Sequence, residues 1–181
     1  MMDLEVKKPR DLLREGGLVL VYGIWGSGKT VLAGSLVEVC PRTLFISTEI
    51  HGTDVLVKHG YDPDVVEVTS TDSMRRVFEY LLSNPGSYDG IVIDSLTEFQ
   101  KIVEEEILKE VLLKADEEFR RGQRRVPHDP DRLELGDYNK LKTRIWRFIR
   151  VLQEISRKGW VVVTCQRMGV GRSETEPQVY Y

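Results

Sequence analysis

The sequence predicts an α/β protein in which a mainly parallel sheet is flanked by helices on both faces. Short apolar runs alternate along the chain with longer segments of helical periodicity, which is the pattern of strands joined by crossover helices. A glycine-rich loop follows the first apolar run and opens the first helical segment, where folds of this class bind phosphate groups. The length of 181 residues suits one such domain.

The predicted strands are short and continuously apolar, without the alternation that marks a half-exposed strand. Strands of a parallel sheet covered by helices have this composition, so we expect them to be buried on both faces. In chain order they are Leu18–Tyr22, Thr43–Ser47, Val65–Val68, Ile91–Ile93 and Trp160–Cys165.

Between these strands, apolar residues recur every three to four positions, which indicates helices with one apolar face. Thr71 or Asp72 is expected to cap the second helix, and Trp146 in the last helix is expected to lie in the core. The predicted helices are Thr30–Val39, Ser73–Leu82, Leu96 to about Arg121, and a last helix that follows Gly136.

We interpret residues 1–181 as one domain with a charged arm at 1–15 and mobile loops at 122–137 and 167–181. The formal net charge of −3 does not indicate polyanion binding by the chain as a whole. Cys40 and Cys165 lie far apart, so we expect no disulfide framework and a cytoplasmic location. No apolar stretch approaches the ~20 residues of a membrane span, so no membrane partner is expected.

Residues 23–30 read Gly-Ile-Trp-Gly-Ser-Gly-Lys-Thr, a complete G-x-x-x-x-G-K-[ST] phosphate-binding loop. Its glycines allow successive backbone N–H groups to point at phosphate oxygens. Lys29 is expected to reach the β- and γ-phosphates, and the Thr30 hydroxyl to ligate Mg²⁺. The sequence therefore predicts that the chain binds a nucleoside triphosphate. The residues expected to bind it are Gly23, Trp25, Gly26, Ser27, Gly28, Lys29, Thr30 and Val31.

Three further strand ends carry polar residues that suit the same site. Asp94 follows an apolar strand at the carboxyl edge of the sheet, so it is expected to hold Mg²⁺ through water, or else to cap the strand end. Glu49 follows the second strand and can orient the attacking water, or serve as a surface carboxylate or as a cap for the segment that follows. Gln166 ends the last strand, where its amide can sense the γ-phosphate, or satisfy loop backbone.

Taken together, these strand ends resemble the RecA-like ATPase family, and in particular the small phage-type RecA-like NTPases linked to recombination and single-strand annealing. The resemblance covers about residues 15–175. It rests on the phosphate loop and four other segments: Phe45–Glu49, Gly60-Tyr61-Asp62, Tyr88–Ser95 and Thr164-Cys165-Gln166.

The resemblance implies a RecA-like core with ATP and Mg²⁺ as cofactors, and with the last strand between the phosphate-loop strand and the Asp94 strand. It implies that Glu49 is the catalytic glutamate, that Gln166 is the γ-phosphate switch, and that Lys29 assists catalysis. The implied partner is single-stranded DNA. Residues 167–181 match the start of one DNA-binding loop of the family, and residues 122–136 match a second, less certain one. The resemblance further implies that the protein is encoded by a phage and lies in the host cytoplasm.

The resemblance also implies a ring or filament of identical copies, in which Arg167 or Arg172 completes a neighbour's site. The chain carries no Phe-x-x-Ala tether of the kind that RecA filaments use, and the further C-terminal strands of such cores have no counterpart in it.

Two clusters of basic residues could follow a nucleic-acid backbone, or could belong to solvated helix faces. The sequence also leaves two rival functions open. One is a nucleotide-gated DNA-binding module with negligible hydrolysis, and the other is a nucleotide or small-molecule kinase. The clusters comprise Arg120, Arg121, Arg124 and Arg125, and then Lys140, Arg144 and Arg147.

Overall fold

Five parallel strands form one sheet in the order β1-β5-β4-β2-β3. The computed structural model describes residues 16–49, 52–122, 129, 133–134 and 136–166. The phosphate-loop strand β1 and the Asp94 strand β4 are separated by β5, as predicted. The strands are β1 (Gly17–Gly23), β2 (Thr43–Ser47), β3 (Asp64–Glu67), β4 (Gly90–Asp94) and β5 (Trp160–Gln166).

Helices cover both faces of this sheet, which confirms the predicted fold class. The larger core lies under α3, α4 and α5, and the smaller one lies under α1 and α2. The described helices are α1 (Lys29–Gly34), α2 (Asp54–Lys58), α3 (Thr71–Ser83), α4 (Leu96–Arg120) and α5 (Asp137–Ile155). No helix among the described residues is long and apolar enough to cross a membrane.

The larger core is centred on three aromatic rings from three different helices. Phe148 of α5 packs on Phe99 of α4 and on Phe78 of α3, with ring centroids 4.6 and 5.3 Å apart. All three side chains are buried. This contact joins the three helices on one face of the sheet.

Two predicted helix boundaries are wrong. The first helix does not continue to Val39 but changes to a 3-10 turn at Ser35–Glu38, where the Ser35 hydroxyl donates to the Leu32 carbonyl at 2.7 Å and competes with the helical bonds. The cap of α3 is Ser70, which precedes the predicted Thr71 and Asp72 by one and two residues. Ser70 is the cap because its hydroxyl accepts the Ser73 N–H at 3.1 Å. The Ser73 hydroxyl in turn accepts the Ser70 N–H, and the two bonds form a capping box.

The prediction that every strand is buried on both faces is wrong for the two edge strands, β1 and β3. Within the described residues β1 pairs only with β5, and β3 pairs only with β2. The Leu20 and Tyr22 side chains of β1 are 58% and 69% exposed, whereas β2 and β4 are buried throughout. The apolar composition of β1 is the same as that of the central strands, so composition could not tell edge from centre.

Trp146 is 54% exposed, so the prediction that it belongs to the core is also wrong. The buried stripe of α5 runs through Leu141, Phe148 and Leu152, and Trp146 lies off that stripe. The arm at 1–15, the loop at 167–181 and most of the loop predicted at 122–137 lie outside the described residues.

Candidate nucleotide-binding site

The parallel register brings the carboxyl ends of four strands to one edge of the sheet. Gly23 at the end of β1 pairs with Gln166 of β5, and Ser47 at the end of β2 pairs with Asp94 of β4. Glu49 lies two residues beyond Ser47. Side chains that are more than a hundred residues apart in sequence therefore meet at the same edge.

The phosphate loop has the backbone shape that its glycines allow. Gly26 and Gly28 have φ values of 74° and 83°, in the left-handed region that favours glycine. The Lys29 ammonium donates to the Ile24 carbonyl at 2.9 Å, across the inside of the loop. A Cβ atom at Gly23 would lie 2.7 Å from the Ser27 hydroxyl, so a larger residue there would displace the Ser27 side chain.

A cavity of about 460 Å³ opens where the phosphate loop faces the other strand ends. Its volume is in the range of small-molecule sites. All five residues proposed for chemistry line it, whereas Gly23 and Ser27 do not. The lining residues are Trp25, Gly26, Gly28, Lys29, Thr30, Val31, Glu49, Gly52, Val55, Asp94, Ser95 and Gln166.

Asp94 is buried at 4% exposure and receives a hydrogen bond on Oδ1 from the Thr164 hydroxyl of β5. Asp94 and the Thr30 hydroxyl both line the cavity, and they form the oxygen donor set that Mg²⁺ prefers. Within the described ranges no group of three or more His, Cys, Asp or Glu side chains could hold a metal. A Mg²⁺ ion here would therefore take its remaining ligands from water and phosphate, which fits the residues present.

Glu49 and Asp94 both line the cavity and are close enough for their charges to interact. Glu49 is exposed as a whole, but its carboxylate accepts a hydrogen bond from the Ser95 hydroxyl at 3.3 Å. Partial desolvation and then the negative charge of Asp94 raise the pKa of Glu49, and the Ser95 hydrogen bond and the Lys29 charge offset part of this rise. A carboxylate with a raised pKa is a better proton acceptor once ionised.

Gln166 is held at its backbone by the start of α4. Its N–H donates to the Thr97 hydroxyl at 2.8 Å, and the same hydroxyl lies 3.4 Å from the Cys165 sulfur. The backbone of Gln166 is therefore fixed relative to the helix that follows Asp94, while its half-buried side chain lines the cavity.

Sequence reasoning missed the hydroxyl residues that support these positions. Thr48, Ser95, Thr97 and Thr164 each hydrogen-bond to another residue at the strand ends. A signal was present, because each lies within three residues of a proposed site residue. Nothing in the spacing, however, indicates which hydroxyl reaches which partner across the sheet.

The basic residues proposed to follow nucleic acid are largely neutralised where the structure describes them. Arg124 and Arg125 lie outside the described residues. Three of the others form ion pairs: Arg121 with Glu117, Lys140 with Asp137 and Arg144 with Glu110.

A parallel sheet in this order, with a phosphate loop after β1 and an aspartate at the end of β4, defines the RecA-like P-loop fold. The crystal structure of the RadB recombinase shares this fold, with a TM-score of 0.52 and 20% identity over 90% of this chain. The chain spans 66% of the length of that structure.

The chain matches the AAA domain family over residues 16–180 and belongs to it. Members of this family and of the RecA-like class are generally ATPases. No curated protein matches the chain significantly.

Proposed function

We propose that the protein is a Mg²⁺-dependent ATPase of RecA-like type that acts on single-stranded DNA in recombination, annealing or repair. The observation that carries the proposal is the cavity at the carboxyl edge of the sheet. Lys29, Thr30, Glu49, Asp94 and Gln166 come from four strand ends and all line it. Hydrolysis of a γ-phosphate needs a cation that binds the phosphates, ligands for Mg²⁺, a base for the attacking water and a group that senses the γ-phosphate.

Each side chain has a role that follows from its chemistry. Lys29 neutralises the β- and γ-phosphates, while Thr30 and Asp94 would hold Mg²⁺, which supplies charge neutralisation and orients the phosphates. Glu49 accepts a proton from the attacking water. Gln166 can donate or accept a hydrogen bond, so it can respond to the presence of the γ-phosphate.

The action on DNA has weaker support than the nucleotide site. The RadB recombinase, which shares the fold, belongs to a class of recombination proteins by its name. The two loops proposed to touch DNA, at 167–181 and around 122–136, lie mostly outside the described residues. Arg120 and Arg147 are exposed basic residues that remain candidates for phosphate contacts.

The test is ATP turnover by the full chain with and without single-stranded DNA. We expect Mg²⁺-dependent hydrolysis that rises when single-stranded DNA is added. Glu49→Gln should abolish most turnover but leave nucleotide binding intact, whereas Glu105→Gln, at an exposed position on α4, serves as the matched control. Unchanged turnover in Glu49→Gln would remove that residue from its role.

The same preparations separate the rival functions. A nucleotide-gated binding module would show DNA affinity that differs between a non-hydrolysable ATP analogue and ADP, without turnover. A kinase would transfer the γ-phosphate to an added nucleoside monophosphate instead of to water. Mass measurement with and without nucleotide and DNA tests whether the protein forms a ring or filament.

A further inference from the structure

Thr48 and Ser95 are joined by two hydrogen bonds where β2 and β4 end. The Ser95 N–H donates to the Thr48 hydroxyl at 2.8 Å, and the same hydroxyl donates to the Ser95 carbonyl at 2.9 Å. The Thr48 N–H also donates to the Asp94 carbonyl at 2.8 Å. The link between the two strands therefore extends past the last paired residues, Ser47 and Asp94.

This arrangement makes the N–H of Ser95 depend on one side chain. Ser95 is only 3% exposed, so water has little access to its backbone. The Thr48 hydroxyl accepts the Ser95 N–H, which without it would lack a partner at a buried position. The Ser95 carbonyl accepts from both the Thr48 hydroxyl and the Phe99 N–H of α4, at 2.9 and 3.1 Å. Thr48 therefore holds the N–H side of Ser95, while the first turn of α4 also holds its carbonyl.

The side chain of Ser95 connects its backbone position to the Glu49 carboxylate through a hydrogen bond. Its hydroxyl accepts the Glu98 N–H at 3.3 Å, which caps α4, and donates to Glu49 Oε1 at 3.3 Å. Because the oxygen of the Ser95 hydroxyl accepts the Glu98 N–H, its one proton can be donated to the Glu49 carboxylate. Glu49 itself is exposed and long, so without this bond its rotamer would be free.

We infer that Thr48 and Ser95 are positioning residues that set the Glu49 carboxylate relative to Asp94, and so place the base beside the metal position. The inference rests on the proposed ATPase function. Thr48 acts through the Ser95 backbone, and Ser95 acts through Glu49. The phosphate-binding loop between β1 and α1 takes no part in these hydrogen bonds.

The first test substitutes Thr48 in the full-length protein. In Thr48→Val, kcat should fall about 10- to 100-fold while KM for ATP changes less than about threefold, because the base moves and the phosphate loop does not. Thr48→Ser keeps the hydroxyl and should recover most of the rate. Thr143→Val, on α5 far from the strand ends, removes a threonine hydroxyl as a control.

A second measurement needs neither nucleotide nor turnover. Hydrogen exchange at the Ser95 amide should be at least about tenfold faster in Thr48→Val than in the wild-type protein, since that N–H loses its acceptor. Exchange at the central strand amides should be unchanged. Equal protection of the Ser95 amide in both proteins would overturn the proposed dependence on Thr48.

A double-mutant cycle separates positioning from a general structural effect. If Thr48 and Ser95 act through Glu49, then Thr48→Val or Ser95→Ala should lower kcat in the wild-type background but not further in Glu49→Gln. Losses that multiply in the double variants would contradict the inference, even if Glu49 is the base. Absence of hydrolysis by the wild-type protein, or normal turnover in Glu49→Gln, would instead count against the proposed function.

Discussion

The Thr164 hydroxyl donates a hydrogen bond to Asp94 Oδ1 across the neighbouring strands β5 and β4. Both residues are buried, at 0% and 4% exposure. Thr164 lies two residues before Gln166, so one short stretch of β5 orients the proposed metal ligand and also carries the proposed γ-phosphate sensor. The last strand therefore contacts one of these two proposed site residues and carries the other.

Removing this hydroxyl should destabilise the protein. Thr164→Val keeps the shape of the side chain but takes a partner from a buried carboxylate, which we expect to lower the free energy of unfolding by about 1–3 kcal/mol. Urea denaturation measures this change. Thr164→Ser should retain most of the stability, and a loss as large as that of Thr164→Val would show that packing, not the hydrogen bond, matters.

Lys29 should dominate the affinity for nucleotide. Lys29→Ala removes the charge that meets the phosphates, so ATP affinity should fall about 10- to 100-fold, as for the loss of hydrogen bonds to a charged group. Titration of a fluorescent ATP analogue measures the effect. Lys58→Ala, at an exposed position on α2, removes the same charge outside the cavity and should bind nucleotide normally.

Glu49 should make stability depend on pH. Its raised pKa means that the folded protein keeps this proton to higher pH than the unfolded chain does. Ionisation of Glu49 therefore disfavours the folded state as pH rises through the ordinary glutamate range to the raised value. The Glu49→Gln protein lacks this loss, so its stability relative to the wild type should increase as pH rises through and above the ordinary glutamate range.

Thermal unfolding at several pH values measures that trend, with Glu105→Gln as the reference for loss of one carboxylate. The same shift predicts the activity profile. Because Glu49 must be ionised to accept a proton, the acidic limb of the kcat/KM profile, which reports the free enzyme, should lie above the ordinary glutamate range. A limb within that range would mean that another group limits turnover.

The aromatic contact between α3, α4 and α5 should carry much of the stability of the larger core. Phe148→Ala leaves a cavity beside Phe78 and Phe99 and should cost about 3–5 kcal/mol. Trp146→Ala, two residues away on the exposed side, should change stability by less than about 0.5 kcal/mol. Urea denaturation of both proteins tests this, and similar losses would show that Trp146 is buried in solution.

Local signals were sufficient for much of this protein. The phosphate loop was predictable because its glycine spacing and its Lys-Thr pair are required by the chemistry of phosphate. Asp94, Glu49 and Gln166 were predictable as residues at strand ends, because parallel strands direct their carboxyl ends to one edge. Their individual roles remain proposals that the experiments above address.

Other features depend on neighbours that no local pattern reveals. The exposure of β1 depends on its place at the edge of the sheet, and the exposure of Trp146 depends on which face of α5 meets the core. The sequence by itself determined the five strands, all described helices except the short α2, the phosphate loop and the candidate residues, because these follow from periodicity and residue chemistry. Only the tertiary structure decided that Thr48 meets Ser95 and Thr164 meets Asp94, because cross-strand partners depend on strand order and register.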